Sequence, residues 1–285
     1  MFPILGIIAS ANAPKDFTVD FLVVAGGAGG SASSAGGGGA GGFRTSAGTS
    51  GGGASAESSF TMSAGINYSV TVGAGGANSG NTSANGSNSV FNTITSTGGG
   101  KPANRASTQL AVTGGSGGGG ANTGNAPYRA GAVGTTGQGK AGGSVAFDGE
   151  NFYTGGGGGG SSTNGDSSAN GGHGGAGQAS SITGSSVTYA GGGGAGSNDL
   201  NTNGGTGGGG YGGNRTAQAG TANTGGGGGS TGGDPAGAGG SGVVILRYPD
   251  NFTITFGAGV TGTESAASGG YKRATITAGT GTVNW

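Results

Sequence analysis

Apolar residues enter this chain in short alternating bursts, separated by long stretches almost without side chains. The first burst, Phe17-Thr18-Val19-Asp20-Phe21-Leu22-Val23-Val24-Ala25, is rich in β-branched and aromatic residues and predicts a strand running directly into glycine. Further short strands are predicted at 67–72 (NYSVTV), 90–95 (VFNTIT), 186–189 (SVTY) and 243–248 (VVILRY). After Pro249 the segments FTITF (252–256) and ATIT (274–277) alternate apolar residues with Thr, the period of a half-buried strand. No segment of useful length carries the 3.6-residue apolar period of an amphipathic helix.

Between the bursts lie four glycine-dense tracts, 26–53, 114–143, 155–177 and 191–240. Glycine supplies 83 of 285 residues, several times its usual share of about 7%. It loses more backbone entropy on folding than any other residue and brings no apolar side chain to a core. Ordered glycine tracts must therefore satisfy their N–H and C=O groups on neighbouring tracts, with main chains in close contact. An extended left-handed helix of three residues per turn permits that packing. The expected fold is mainly β and irregular: a sandwich of polyglycine-II helices with short strands and no substantial α-helix.

Three regions follow: an N-terminal attachment segment at 1–16, a glycine-rich domain at 17–249, and a small C-terminal β element at 250–285, with Trp285 as a packing anchor. The opening MFPILGIIASA, Met1 to Ala11, is apolar but lacks a basic flank and is too short to span a membrane. It is expected to be retained as an attachment segment rather than cleaved as a signal peptide; a simply packed terminus is the alternative. A weak internal echo at an offset near 90 residues pairs VFNTITSTGGG (90–100) with ITGSSVTYAGG (182–192), suggesting two related halves.

Composition excludes several functions. Without cysteine there are no disulfides, thiolate-bound metals or thiol catalysis. Ten basic and ten acidic residues leave no net charge, so the electrostatic footprint of a nucleic-acid binder is missing. High net charge, the usual companion of disorder, is missing too. The lone His173, in GGHGG, cannot build a multi-histidine metal site and reads as an exposed or hydrogen-bonded side chain. Asp148 and Glu150 are the one close acidic pair, and a solvated turn explains them better than Ca²⁺ binding or hydrolysis. The run 26–30 resembles a dinucleotide-binding loop, but no helix follows to receive a phosphate. No catalytic residue, cofactor or metal is expected, and the chain is not expected to be an enzyme.

Binding is the better expectation. Four loops interrupt the glycine with bulky or polar residues: APYR (126–129), FDGENFY (147–153), NDLNTN (198–203) and YGGNR (211–215). Tyr128, Arg129, Phe147, Asp148, Phe152, Tyr153, Tyr211 and Arg215 are the candidate receptor-contacting residues, because amphipathic rings anchor a ligand at small entropic cost. The competing expectation is that these side chains cap the tracts or pack between subunits. Ice binding through the Thr-x-Thr pairs 93/95, 253/255 and 275/277 is less well supported, since those pairs fall on strands outside the tracts.

The ordered punctuation of the glycine carries a resemblance. FLVVAGGAGG (21–30), GGGGAGGFRT (36–45), YSVTVGAGG (68–76), NGSNSVFNTITSTGGG (85–100), SSITGSSVTYAGGGGAG (180–196) and GGSGVVILRYP (239–249) together resemble the glycine-rich domain of bacteriophage tail-fibre proteins and adhesins. The resemblance implies a virion component whose polyglycine-II sandwich presents end loops to a bacterial surface saccharide or outer-membrane protein. It further implies a homo-oligomer, a trimer or a filament, joined to other virion proteins through residues 1–11, without membrane insertion. A purely structural fibre or capsid decoration is the alternative. The chain departs from the long-fibre pattern in lacking a coiled-coil or β-helical shaft.

Overall fold

A computed structural model describes residues 15–121, 123, 128–145, 154–170, 172–198, 200–233 and 235–285. The expected attachment segment from Met1 to Ala11, the 147–153 loop and the Asp148/Glu150 pair lie outside them.

In chain order the strands are β1 (Asp16–Val24), β2 (Phe43–Thr45), β3 (Phe60–Ser63), β4 (Tyr68–Thr71), β5 (Asn78–Ser79), β6 (Thr82–Ser83) and β7 (Ser89–Phe91). They continue with β8 (Ile94–Ser96), β9 (Gln178–Ser180), β10 (Val187–Tyr189), β11 (Val243–Pro249), β12 (Thr255–Phe256), β13 (Val260–Glu264) and β14 (Tyr271–Asn284). Two single 3₁₀ turns, Gly51–Gly53 and Ser168–Asn170, are the helical elements among the described residues. The class is mainly β and irregular, as the sequence predicts.

Ten strands form one antiparallel sheet in the order β2-β1-β11-β14-β4-β7-β8, with β3 on β1 and with β12 and β13 on β14. The sheet curls until its two edge strands meet: Arg44 Nη1 on β2 donates to the Thr95 carbonyl on β8, and Ser96 Oγ donates to the Val23 carbonyl. Alternation along β1 and β11 divides their side chains between two cores. Phe17, Val19, Phe21 and Val23 join Val244, Leu246, Tyr248 and Ile276 inside the curl. Leu22, Val24, Val243 and Ile245 face the other way, where the β9–β10 hairpin covers them with Ile182 and Tyr189.

Residues 250–285, read from the sequence as a separate small element, form β12–β14, and all three are bonded into this sheet. β14 pairs first with β11 and then with β4, because it turns over at Gly279, whose φ of +100° suits glycine alone. Trp285 is a packing anchor as expected, its ring centroid 5.3 Å from those of both Phe17 and Tyr248. The 90–95 segment, expected as one strand, is a β7–β8 hairpin that turns through Asn92 at φ +51°. Asn is among the few residues that adopt this conformation readily.

The glycine tracts extend from one end of the sheet. Their backbone hydrogen bonds repeat every three residues. From 25 to 30 the amides donate in rotation to three neighbours: Ala25 and Ala28 to Gly42 and Gly39, Gly26 and Gly29 to Ser87 and Ala84, Gly27 and Gly30 to Gly240 and Gly237. The tract at 36–42 is fully surrounded. It donates to carbonyls at 97–103, 156–159 and 225–228, and accepts from amides of Ala25 and Ala28, Ser116 and Gly119, and Gly193. Glycine is required by the spacing this produces. A Cβ on Gly37 would lie 2.0 Å from the Gly193 carbonyl oxygen, and one on Gly41 2.0 Å from that of Ala25. The amides of the 26–30 run are thus committed to other tracts rather than turned toward a phosphate.

Candidate functional site

The molecule has two distinct ends. Near the start of the described chain the Lys15 carbonyl accepts from Ala64, and at the other terminus the Trp285 carbonyl accepts from Gly65. The ring contact between Phe17 and Trp285 places the start of the described chain and Trp285 together at the end of the sheet away from the glycine tracts. At the opposite, distal end the tracts reverse direction. The turns there are tied together: Thr231 N donates to Ser31 O, Asn104 Nδ2 donates to Ser31 Oγ (2.8 Å) and Ala32 O (2.7 Å), and Ser34 Oγ donates to Asn198 Oδ1 (3.3 Å). Ser33 and Ser34 hold left-handed backbone conformations, φ +61° and +53°, which tighten the first of these reversals.

The charged residues of the sheet serve mainly as locks. Arg247 forks onto Asp20 at 2.6 and 3.0 Å and lies over the Tyr271 ring. Burial raises the Asp20 carboxyl, but hydrogen bonds from Ser59, Arg247 and Ser46 with the Arg247 charge outweigh it, so the group sits below its ordinary 3.8. Glu264 receives the Tyr248 hydroxyl (2.7 Å) and the Ile254 amide (3.0 Å), with Lys272 Nζ at 3.4 Å. Burial raises this carboxyl as well, and those donors bring it below its ordinary 4.5. Burial and the adjoining carboxylate push the Tyr248 hydroxyl far above its ordinary value. Arg44 makes a similar fork onto Glu57.

At the distal end the predicted residues divide. Arg129 is committed to the scaffold: its backbone pairs with Ala121 at 3.1 Å in both directions, and Nη1 donates to the carbonyls of Asn104, Ser107 and Gln109. Asn104 Oδ1 accepts from Ala106 N and Ser107 N, closing that loop as an Asx turn. Tyr128 is half-buried beside Arg129. Tyr211 is 53% exposed, and Arg215 is exposed. Phe147, Asp148, Phe152 and Tyr153 lie outside the described residues.

Two loops singled out in the sequence, 198–203 and 211–215, meet. Thr202 and Gly212 exchange both backbone hydrogen bonds at 3.0 and 2.9 Å, and Thr202 Oγ1 turns inward to the Ala195 carbonyl. Asn201 and Asn203, on either side of the buried Thr202, are left exposed. With Tyr211, Gly212, Thr216 and Gln218 they line a groove of about 320 Å³. His173 is hydrogen-bonded as expected, its Nδ1 accepting from the Asn203 amide at 2.9 Å. A second distal groove of about 360 Å³ runs between Ser33, Ser34, Arg105, Ala106, Thr123, Asn198 and Gly232.

Thr216, Gln218, Ser33 and Asn104 carried no signal in the sequence. Each is a small polar residue among many, distinguished solely by the tracts that meet around it. No group of three or more His, Cys, Asp or Glu residues able to hold a metal occurs among the described residues, and no helix among them is long and apolar enough to cross a membrane.

No curated protein matches the chain. Residues 8–249 match the glycine-rich domain family, from just before β1 to the last residue of β11. The match covers most of the sequence and contains every glycine tract described above, and the chain belongs to the glycine-rich domain family.

Proposed function

We propose that the protein is a structural virion component of a bacteriophage tail fibre or similar appendage, and that it acts as an adhesin through loops carried on a glycine scaffold. The observation that carries this reading is the polarity of the molecule: both described termini lie at the sheet end, and the polar loops gather at the other. Such a shape leaves the sheet end for attachment and the loop end for a bacterial surface saccharide or outer-membrane protein. The ordered motifs from FLVVAGGAGG to GGSGVVILRYP support the phage assignment by resemblance.

In this reading the tracts are polyglycine-II helices. The rotation of hydrogen bonds among three neighbours every three residues supports that assignment, since it is the repeat of an extended three-residue helix. The dense interchain-like bonding gives a stiff support without a large apolar core, as a loop-presenting scaffold requires. Attachment to other virion proteins is assigned to residues 1–11, and self-association, as a trimer or filament, to the sheet end.

Adsorption tests the reading. Purified protein is expected to bind cells of a susceptible bacterial strain and to reduce infection by the parent phage in competition. A second reading, a fibre or capsid decoration without receptor binding, is favoured by the commitment of Arg129 to holding its neighbouring loop. Failure to adsorb to any susceptible strain, with no protection from infection, leaves that structural reading in place of the adhesin.

A further inference from the structure

The groove around Tyr211 is neutral, polar and aromatic. Its side chains are one exposed phenol ring, the amides of Asn201, Asn203 and Gln218, and the Thr216 hydroxyl; among the described lining residues none is charged. We propose that this groove binds a neutral saccharide, with the Tyr211 ring as the stacking platform and the amides as hydrogen-bonding partners. The proposal rests on the adhesin reading and names the ligand of one of its loops.

Several physical features lead to this ligand class. An aromatic face left in water invites a partner with an apolar face and a polar rim, which describes a pyranose ring. Carboxamides offer a donor pair and an acceptor from the same group, and so match hydroxyl groups that both donate and accept. A phosphate or carboxylate would call for Lys, Arg or converging amides, yet the Gly212 amide is committed to Thr202 and the Asn203 amide to His173. An apolar ligand would leave three amides without partners. The volume lies at the lower end of the usual range for small-ligand sites, about 300–1,000 Å³.

The groove is also built rather than incidental. Every segment that lines it is fastened from below. The Thr202–Gly212 pair joins its two loops, His173 holds Asn203, and the Gln218 amide donates to the Tyr211 carbonyl at 2.8 Å. Gly212 admits this closeness because it has no side chain: a Cβ there would lie 2.3 Å from the Ala195 carbonyl oxygen. The backbone that carries the lining groups is therefore positioned before any ligand arrives, which lowers the ordering cost of binding.

Saturation-transfer NMR on the full chain tests the proposal, with the methyl glycosides of glucose, galactose, mannose and N-acetylglucosamine as probes and methyl glucuronide as the charged control. At least one neutral glycoside is expected to bind. Tyr211→Ala is expected to weaken it about tenfold, the scale of losing an aromatic anchor, whereas Tyr211→Phe retains most of it. An unchanged melting curve for each variant separates lost contact from lost fold. The proposal is overturned if no neutral probe binds at millimolar concentration, if Tyr211→Ala leaves binding unchanged, or if the glucuronide binds as well as the neutral sugars. Cell adsorption distinguishes the two levels: adsorption without glycoside binding overturns this groove and leaves the adhesin, and glycoside binding without adsorption does the reverse.

Discussion

The Gly37 α-carbon faces the Gly193 carbonyl so closely that a β-carbon would stand 2.0 Å from its oxygen. The two tracts are joined there by the Gly193 amide, which donates to Gly38 at 2.9 Å. An added methyl has no side chain to displace, only backbone that is itself bonded to further tracts. Gly37→Ala is therefore expected to destabilise the protein by about 3 kcal/mol or more, at the upper end of the overpacking range. Gly233→Ala is the control, since its nearest foreign atom would be 3.7 Å away and its φ is not positive; it is expected to stay within about 0.5 kcal/mol of the parent. Denaturant midpoints of the two variants decide the matter.

Arg129 joins the 104–109 loop to the array through three carbonyls. Arg129→Met keeps much of the stem and removes the donors. Hydrogen bonds to charged groups contribute about 1.5–3 kcal/mol, and here the carbonyls regain water once the loop opens, so a loss of about 1–2 kcal/mol is expected. Amide hydrogen exchange is the direct readout: protection should fall at residues 104–109 and stay constant in the 36–42 tract.

Acid should weaken the sheet end first. The Asp20 and Glu264 carboxyls lie below their ordinary values of 3.8 and 4.5 in the folded protein. A depressed carboxylate contributes stability that is fully present above its unfolded value and is lost as pH falls through the folded one. Melting temperature should therefore hold from neutral pH to about pH 5 and decline below 4.5. In Asp20→Asn and Glu264→Gln the melting temperature should start lower at neutral pH and decline less on acidification, and pH-dependent calorimetry measures both slopes.

Gly279 allows β14 to leave β11 and continue on β4. A side chain there meets both an unfavourable φ of +100° and the Gly259 carbonyl, 1.7 Å from the added carbon. Gly279→Val is expected to cost at least about 3 kcal/mol. The sole tryptophan reports it, because a misplaced second half of β14 removes Trp285 from Phe17 and Tyr248 and changes its fluorescence.

Local pattern alone placed β1, β4, β10 and β11 within a residue or two, because β-branched and aromatic runs bounded by glycine have few alternatives. Of the strands it left out, β5 and β6 are two residues each and wholly polar, and β2, β3, β9 and β13 are three to five residues long with apolar residues isolated among polar ones or glycine. The strand state of these last four comes from pairing with β1, β10 or β14, which their own residues do not encode. Of the candidate site, Tyr211 and the 198–203 loop were legible because bulky residues are conspicuous in glycine. Their meeting was not, since it depends on the Thr202–Gly212 pair. Arg129 was legible as an unusual residue but not as a loop fastener.

By itself the sequence determined the fold class, the strand-to-glycine alternation, and the need for tracts to bond one another, since glycine has nothing else with which to stabilise an ordered state. Tertiary structure decided which tract lies beside which, that 250–285 completes the sheet, and which loops share a groove. The physical reason is common to all three. Poly-glycine segments are locally interchangeable, so nothing in a tract names its neighbour. The six neighbours of residues 36–42 are selected by the strands and turns that fix where each tract begins and ends.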